Sequence, residues 1–376
     1  MFAIGGNIKM IKKVWKILRN LHLIPLYLFF YYKGINRAYW RRLYTEFKYD
    51  FFSMKTIRFK DKMWAYRKGF LSERIIRYGL NKDNYQDYMS DFQYAKKVSC
   101  VNGRFYYWFD DKLTTWYVLR PFREYLPIHY YSIHKNNILE LYPEGNQFNN
   151  SVEGVLELLK RKKELAFKEV IGAGGAGFFK VVYDNEYIMV NKKRMTQEEF
   201  CDFVKSLDGY MATEYVYAHS DLRKIYKNSP NALRIITIYD KEKGTKITGS
   251  FIRFGTSDTG YVDNACAGGI CSGVEINNGE IFNPRRFIDN KIELCPIHPD
   301  TGEKIAGTIP NWHIITEKVI EIGNYLNSTP HLTFDIAVTQ DAFKILEINS
   351  HGQVRNLQLF YPFYKNEFQA KLFRSQ

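Results

Sequence analysis

Lys168, Gly172, Gly174, Gly175 and Gly177 lie together in the stretch Lys-Glu-Val-Ile-Gly-Ala-Gly-Gly-Ala-Gly. Gly172, Gly174 and Gly177 match G-x-G-x-x-G, a spacing that is weak alone. A dinucleotide-binding loop of that form opens a helix. Here Phe-Phe-Lys-Val-Val-Tyr follows, which is rich in strand formers. The spacing therefore predicts a flexible flap between two strands. Glycine N–H groups can close over phosphates without a Cβ in the way. Lys168, on the preceding strand, can meet a phosphate as a point charge. A glycine-rich hairpin that binds nothing is the plainer alternative.

A second stretch runs from Asp335 through Glu347 to Asn349. Side chains alternate along a strand, so Glu347 and Asn349 share a face. Register decides whether Asp335 joins them. A two-residue turn at Gln340-Asp341 pairs Thr339 with Ala342 and puts Asp335 and Glu347 on opposite faces. A three-residue loop pairs Thr339 with Phe343 and sets Asp335 opposite Glu347. In the second register two carboxylates and an amide converge, a hard-oxygen set suited to magnesium held with nucleotide phosphates. The neighbours Phe334, Ile336, Ile345, Leu346 and Ile348 are apolar, and charges in such a setting need a partner.

A third group comprises Glu214, Tyr215, Val216 and His219 at the end of a strand, followed by Asn231-Ala-Leu-Arg234-Ile. A strand end with an acidic residue can offer backbone groups to adenine and a carboxylate to ribose. Arg234, on the next strand, can face a triphosphate. Taken singly, each of these residues is more often structural.

The order of these motifs resembles the ATP-grasp superfamily, specifically the sugar-transfer-associated ATP-grasp proteins of bacterial polysaccharide genes. The resemblance spans about Trp108 to Phe373. It rests on Lys168 before the glycine loop, on Glu214 to His219, and on Asn231 to Arg234 with Ala232 in place of the usual Thr. It also rests on Asp263, Asn264, Gly268, Gly269, Gly273 and Val274, on Pro310-Asn311-Trp312, and on Asp335, Glu347 and Asn349. An earlier phosphate lysine has no firm place, and Lys112 in Asp-Asp-Lys-Leu is a candidate.

The resemblance implies an α+β chain, with two α+β lobes gripping ATP after a mostly helical N-terminal region. The expected division is residues 1–100, 101–217 and 218–376. The implied cofactors are ATP and Mg2+, two ions being expected. Asp335, Glu347 and Asn349 would hold the metal. Lys168, the glycine loop, Glu214, Tyr215, Val216, His219 and Arg234 would hold nucleotide, with Arg234 and Lys168 also serving the reaction. That reaction would activate a carboxylate as an acylphosphate, captured by an amine or a sugar-linked acceptor in capsule or other surface-polysaccharide chemistry. Phosphate transfer to a sugar or polyol hydroxyl is the rival activity. It resembles no protein kinase, because neither H-R-D with a downstream Asn nor D-F-G is present.

Apolar residues make up 45% of the 376 and aromatic residues 17%, which fits a folded chain of two or three units. The net charge is +14, and Met1 to Thr45 contains nine basic residues and no acidic one. Such an end suits anionic lipid or another polyanion. No zinc-finger, RNP or helix-turn-helix signature points to nucleic acid. A basic membrane or polyanion adaptor is the non-enzymatic reading. Leu21 to Tyr32 is an apolar run interrupted by Pro25, shorter than the ~20 residues of a spanning helix. Peripheral contact with the inner face of the cytoplasmic membrane competes with burial as an N-terminal helix. Five scattered cysteines suggest neither a disulfide framework nor zinc, and fit the cytoplasm.

Apolar spacing predicts helices around Ile11–Leu18 and Leu71–Tyr78, and short strands from Val101 onward. Asn150 with Glu153, and Thr196 with Glu199, read as helix openings. Tyr210–Tyr217, Ala232–Tyr239 and Thr245–Phe254 read as strands.

Overall fold

Alternating apolar side chains build two antiparallel sheets of seven strands each. The computed structural model describes residues 24–142, 149–172, 175, 177–184, 186–264, 268–288, 291–352 and 354–374. Gly174, Cys266 and the predicted helix at Ile11–Leu18 lie outside the described residues. The described residues form two compact units, one of residues 24–81 with 89–100, the other of 82–88 with 101–374.

The first unit is helical, with helices at Ile24–Tyr32, Arg37–Ser53, Phe59–Arg67, Glu73–Tyr78 and Asp91–Lys97. Pro25 does not interrupt the apolar run. It lies within the described helix Ile24–Tyr32. Asp50 pins this unit from inside. Its Oδ2 accepts from the Tyr66 hydroxyl at 2.7 Å and from Ser72 N at 2.9 Å, and its Oδ1 accepts from Glu73 N at 2.9 Å. No helix among the described residues is long and apolar enough to cross a membrane.

In the second unit, residues 101–125 are short helical turns rather than the expected strands, and the first strand begins at His129. The first sheet contains β1 (His129–His134), β2 (Asn137–Glu140), β3 (Glu164–Glu169), β4 (Phe179–Asp184), β5 (Tyr187–Val190), β6 (Lys193–Met195) and β7 (Asp208–Thr213). Their order is β2-β1-β7-β3-β4-β5-β6. Helices Val152–Lys162 and Gln197–Ser206 cover one face with Val155, Leu159, Phe200 and Val204 against Phe167. Each such side chain, fully buried, stabilises the fold by roughly 1.5–3 kcal/mol. The first helix is opened by Ser151, whose hydroxyl accepts from Gly154 N at 3.0 Å, not by Asn150. Thr196 and Glu199 form the expected reciprocal cap. β7 stops at Thr213, four residues short of the expected end, and 214–219 run on as irregular chain.

The second sheet contains β8 (Leu233–Asp240), β9 (Gly244–Phe254), β10 (Ile270–Val274), β11 (Ile281–Ile288), β12 (Lys291–Leu294), β13 (His331–Val338) and β14 (Phe343–Asn349). Their order is β12-β11-β10-β9-β8-β13-β14. Helix Trp312–Tyr325 packs Ile315, Val319 and Ile322 into this core. β13 is buried along its whole length.

The β13–β14 hairpin resolves the register question in an unforeseen way. Val338 pairs with Phe343 and Thr339 N donates to Ala342 O at 3.2 Å, so the turn is the two-residue one. By itself that register separates the two acids. Between Asp335 and Ile336 the pairing shifts, Leu346 bulges out, and Asp335 comes to lie opposite Glu347. The core face of β14 accordingly passes from Phe343 and Ile345 to Ile348. Bulges of this kind re-aim side chains beside active sites.

Inserting one alanine between Leu346 and Glu347 shifts the rest of the strand by one residue and is expected to turn Glu347 and Asn349 toward the core and Ile348 out of it. Thermal unfolding should then occur several degrees lower, and added nucleotide should no longer raise the midpoint. Leu346→Ala, which keeps the bulge, should retain the nucleotide-induced shift. Equal behaviour of the two variants would remove the bulge from any positioning role.

Candidate active site

Lys168 leaves β3 half-buried, paired through its backbone with Met211 of β7. Lys112 reaches the same place from the first turn of helix Lys112–Val118. Asp111 caps that helix by accepting from Thr114 N at 2.7 Å. The Lys112 ammonium donates to Gly172 O at 2.9 Å and stands 3.6 Å from Glu347 Oε1. Lack of solvent and the neighbouring Lys112 charge together bring the Lys168 amine down to about 8, against partial support from Glu347 and Glu214. Two cations so crowded are an anion site.

The acids answer from the second sheet. Asp335 faces Arg234 across the β8–β13 pair. Arg234 grips it bidentately, with Nε to Oδ1 and Nη2 to Oδ2 both at 2.5 Å. Arg253 adds Nη2 to Oδ2 at 3.3 Å and reaches Asp263 Oδ1 at 3.3 Å. Burial alone would raise the Asp335 carboxyl, but the two guanidiniums outweigh it and hold the group below the ordinary range. Glu347 has no such clamp. Burial, with the Asp335 charge added, lifts its carboxyl above the usual value, though Lys112 opposes the rise.

Among the described residues no three His, Cys, Asp or Glu side chains cluster as a metal group. The oxygen set here consists of two carboxylates and an amide. Asp335 accepts three of its roughly four hydrogen bonds from arginine, which leaves one lone pair on Oδ1. Asn349 shares the Glu347 face, and its amide Nδ2 is buried without a partner among the described residues. An amide turned end for end would offer oxygen there. This donor set fits a small hard cation.

A cavity opens beside these groups, walled by Trp116, Leu126, His129 and Leu346 and bordered by Lys112 and Glu347. Trp116 stacks on His129 at 5.6 Å between ring centroids, and the Arg123 guanidinium lies 3.9 Å from the Trp116 ring. Burial, then the Lys168 and Arg123 charges, keep His129 neutral, and its Nδ1 has no partner among the described residues.

A model of the sugar-transfer associated ATP-grasp family matches residues 92–362. The chain belongs to that family. No curated protein is similar to it in sequence. Among solved structures, biotin carboxylase from Campylobacter jejuni is 13% identical, with TM-score 0.40, over 71% of this chain and 46% of that one. D-alanyl-alanine synthetase A from Vibrio cholerae is 10% identical, with TM-score 0.39, over 71% and 65%. N5-carboxyaminoimidazole synthase from Aspergillus clavatus, solved with ADP, is 11% identical, with TM-score 0.34, over 66% and 46%. This ATP-grasp chain thus spans about half to two thirds of their lengths.

The remaining motif residues of this ATP-grasp chain divide into two kinds. Gly175 and Gly177 have left-handed backbone, at φ +77° and +71°. A Cβ on Gly175 would come 2.7 Å from Val262, and one on Gly177 would come 2.6 Å from the Tyr210 hydroxyl. A Cβ on Gly172 would strike the Glu169 carboxylate. At these three positions there is therefore no room for a side chain. Glu214 is engaged at home, its Oε1 accepting from Ile128 N at 3.1 Å and lying 3.5 Å from the Lys344 ammonium. Tyr215 and Tyr217 both lie beneath the Lys180 ammonium, at 4.0 and 4.9 Å. Val216 is half-buried in the same irregular segment. His219 ties the segment to the hairpin, its N donating to Val338 O at 2.6 Å.

Arg253 and His129 were not foreseen. Arg253 had a visible signal, a lone cation inside the apolar run Phe251-Ile-Arg-Phe254. His129 had none, because a histidine on a strand is ordinary.

The Lys168 amine supplies a pH test. Its folded value of about 8 lies below the ordinary 10.5. Between those values the unfolded chain holds the extra proton, so this group's contribution to stability rises with pH there. Phosphate binding wants the cation and should move the opposite way. Nucleotide affinity, measured by calorimetry, is expected to weaken about tenfold between neutrality and one unit above that value. Lys168→Arg should flatten the profile. A flat profile in the unaltered chain would separate Lys168 from the phosphates.

Proposed function

We propose that this chain is an ATP- and magnesium-dependent ligase that activates a carboxylate as an acylphosphate and passes the acyl group to an amine or another nucleophile. The observation that carries the reading is the convergence of Lys112, Lys168 and Arg234 with Glu347 and Asp335 where the two sheets meet. The reading assigns residues 101–217 and 218–376 to the two gripping lobes. The glycine loop covers the phosphates with its backbone N–H groups. The irregular chain at 214–219 offers its backbone groups to the flat base.

Phosphoryl transfer asks the protein for position and charge more than for covalent help. Lys112 and Lys168 draw in the triphosphate. Arg234 reaches it from the opposite sheet while orienting Asp335. A substrate carboxylate oxygen attacks the γ-phosphorus and ADP leaves. The nucleophile then attacks the acyl carbon and phosphate leaves. Asp335, Glu347 and Asn349 would hold magnesium, which when bound neutralises charge on the β- and γ-phosphate oxygens. The family's association with sugar transfer supports an acceptor or carboxylate within surface-polysaccharide chemistry.

Glu347→Gln is expected to lower ADP release at least a hundredfold, with circular dichroism unchanged. Asp335→Asn should do the same and also lower the thermal midpoint. Arg234 and Arg253 then face each other without the carboxylate between them, and breaking a buried ion pair costs about 3–5 kcal/mol. ADP release should require both a carboxylate and a nucleophile from a panel of amino acids and uronic-acid sugars. Release with a hydroxyl acceptor alone, yielding a phosphorylated sugar, would replace the ligase reading with a kinase.

A further inference from the structure

The first hundred residues hold 21 basic and 7 acidic side chains, a balance of +14 that equals the net charge of the whole chain. From residue 101 onward the two kinds number 33 each. Charge segregated so completely calls for an explanation in the helical unit.

All five acidic residues of that unit, in 24–81 and 89–100, are buried or half-buried and engaged. Glu46 pairs with Arg42 and Asp61 with Arg58. Asp50 accepts from Tyr66, Ser72 and Glu73, and Glu73 and Asp91 hold Arg74. Fifteen basic residues share the unit, and Lys33, Arg37, Arg41, Lys48, Lys55 and Lys60 are exposed. The outward field is thus positive with no exposed acidic side chain in the described unit.

The same unit carries an exposed apolar surface. Helix Ile24–Tyr32 has no charged residue. Phe30 is buried and anchors it against Leu43 and Ala95. Leu28, Phe29, Tyr31 and Tyr32 face outward, at 62%, 42%, 74% and 84% exposure. On the next helix Arg41, Thr45, Lys48 and Phe52 follow one another at helical spacing, all exposed.

We propose that this face of the helical unit docks on a membrane surface rich in anionic lipid. Leu28, Phe29, Tyr31 and Tyr32 enter the headgroup region, and Lys33, Arg37, Arg41 and Lys48 meet lipid phosphates. Cationic helices with a bare aromatic and aliphatic face bind in this manner. A nucleic acid would use the cations and leave Leu28 and Phe29 in water. A second copy would bring two strongly positive surfaces together. Residues 1–23, with five more basic side chains and no acidic one, add to the same attraction. The proposal stands apart from the ligase reading, since none of these residues belongs to that site.

The test is cosedimentation of the full chain with phosphatidylcholine vesicles, with and without phosphatidylglycerol, at low and high salt. Binding is expected only with the anionic lipid, falling as salt rises. Each cation near such a surface is worth about fivefold in partitioning. The combined variant Arg37→Glu, Arg41→Glu and Lys48→Glu should therefore bind at least about a hundredfold less at low salt. Leu28→Ser with Tyr31→Ser and Tyr32→Ser should abolish the part that survives high salt. Circular dichroism and ADP release should stay unchanged in both. Brominated lipid should quench the intrinsic fluorescence of the unaltered chain, which needs no variant. Equal binding to neutral vesicles, or none to anionic ones, overturns the proposal. So does an apolar variant that sediments normally while duplex DNA competes fully, which makes the face a general polyanion binder. A lipid-free dimer dissolved by the apolar variant overturns it in favour of self-association.

Discussion

Asp335 is a carboxylate set in a strand whose every residue is buried, and the structure around it is arranged so that its charge survives there. An ionised carboxylate without partners in such a place would take up a proton or unfold the strand. Two guanidiniums prevent this, one from the adjacent strand β8 and one from β9 beyond it. Arg253 in turn would be stranded but for Asp263, and Asp263 Oδ2 accepts from Ala232 N at the start of β8. The chain Ala232–Asp263–Arg253–Asp335–Arg234 therefore closes on β8, where it began. Removing any member leaves a buried charge uncompensated, so the network fixes the strands as well as the acid.

Most of the pieces of this network were legible as residues out of place. Charged side chains among Phe and Ile demand partners, and that reasoning found Asp335, Glu347 and, applied to Phe251–Phe254, would have found Arg253. The strands on either side of the glycine loop followed from strand periodicity and from the β-rich sequence after the loop. What was not legible is how Glu347 reaches Asp335. The turn residues Gln340-Asp341 dictate one register and the function of the two acids needs the other. A bulge at Leu346 reconciles them, and nothing about a leucine in an apolar strand announces it. The same blindness applied to 101–125, where aromatic residues common to both helix and strand gave no period, and so Lys112 lacked a context.

Motif residues that look functional also divide once their contacts are known. Asn231 is fully buried with φ +47°, and its amide donates to Leu222 O and Tyr226 O, so it bends the chain into β8, the strand that carries Arg234. Asn311 is left-handed at the head of a long helix and its Nδ2 donates to Thr339 O and Ala342 O. It therefore holds the turn from which the bulged hairpin departs. Such residues are tied to the chemistry through backbone geometry, which explains why they belong to a motif without touching the site.

The even balance from residue 101 onward bears on how a triphosphate is drawn in. No general positive field exists there to steer it, so attraction must come from charges placed within a few ångströms. Lys112 is close enough to Lys168 to lower that amine's affinity for a proton, a penalty that an anion bound beside them would relieve. Glu347 stands 3.6 Å from Lys112 and partly offsets that repulsion. A phosphate bound at the lysines would free Glu347 from that task. On the reading proposed above, Glu347, Asp335 and Asn349 would then hold magnesium, which would supply the positive charge that the carboxylate and the phosphates both need. The ion pair seen here and that metal site would be successive uses of one carboxylate.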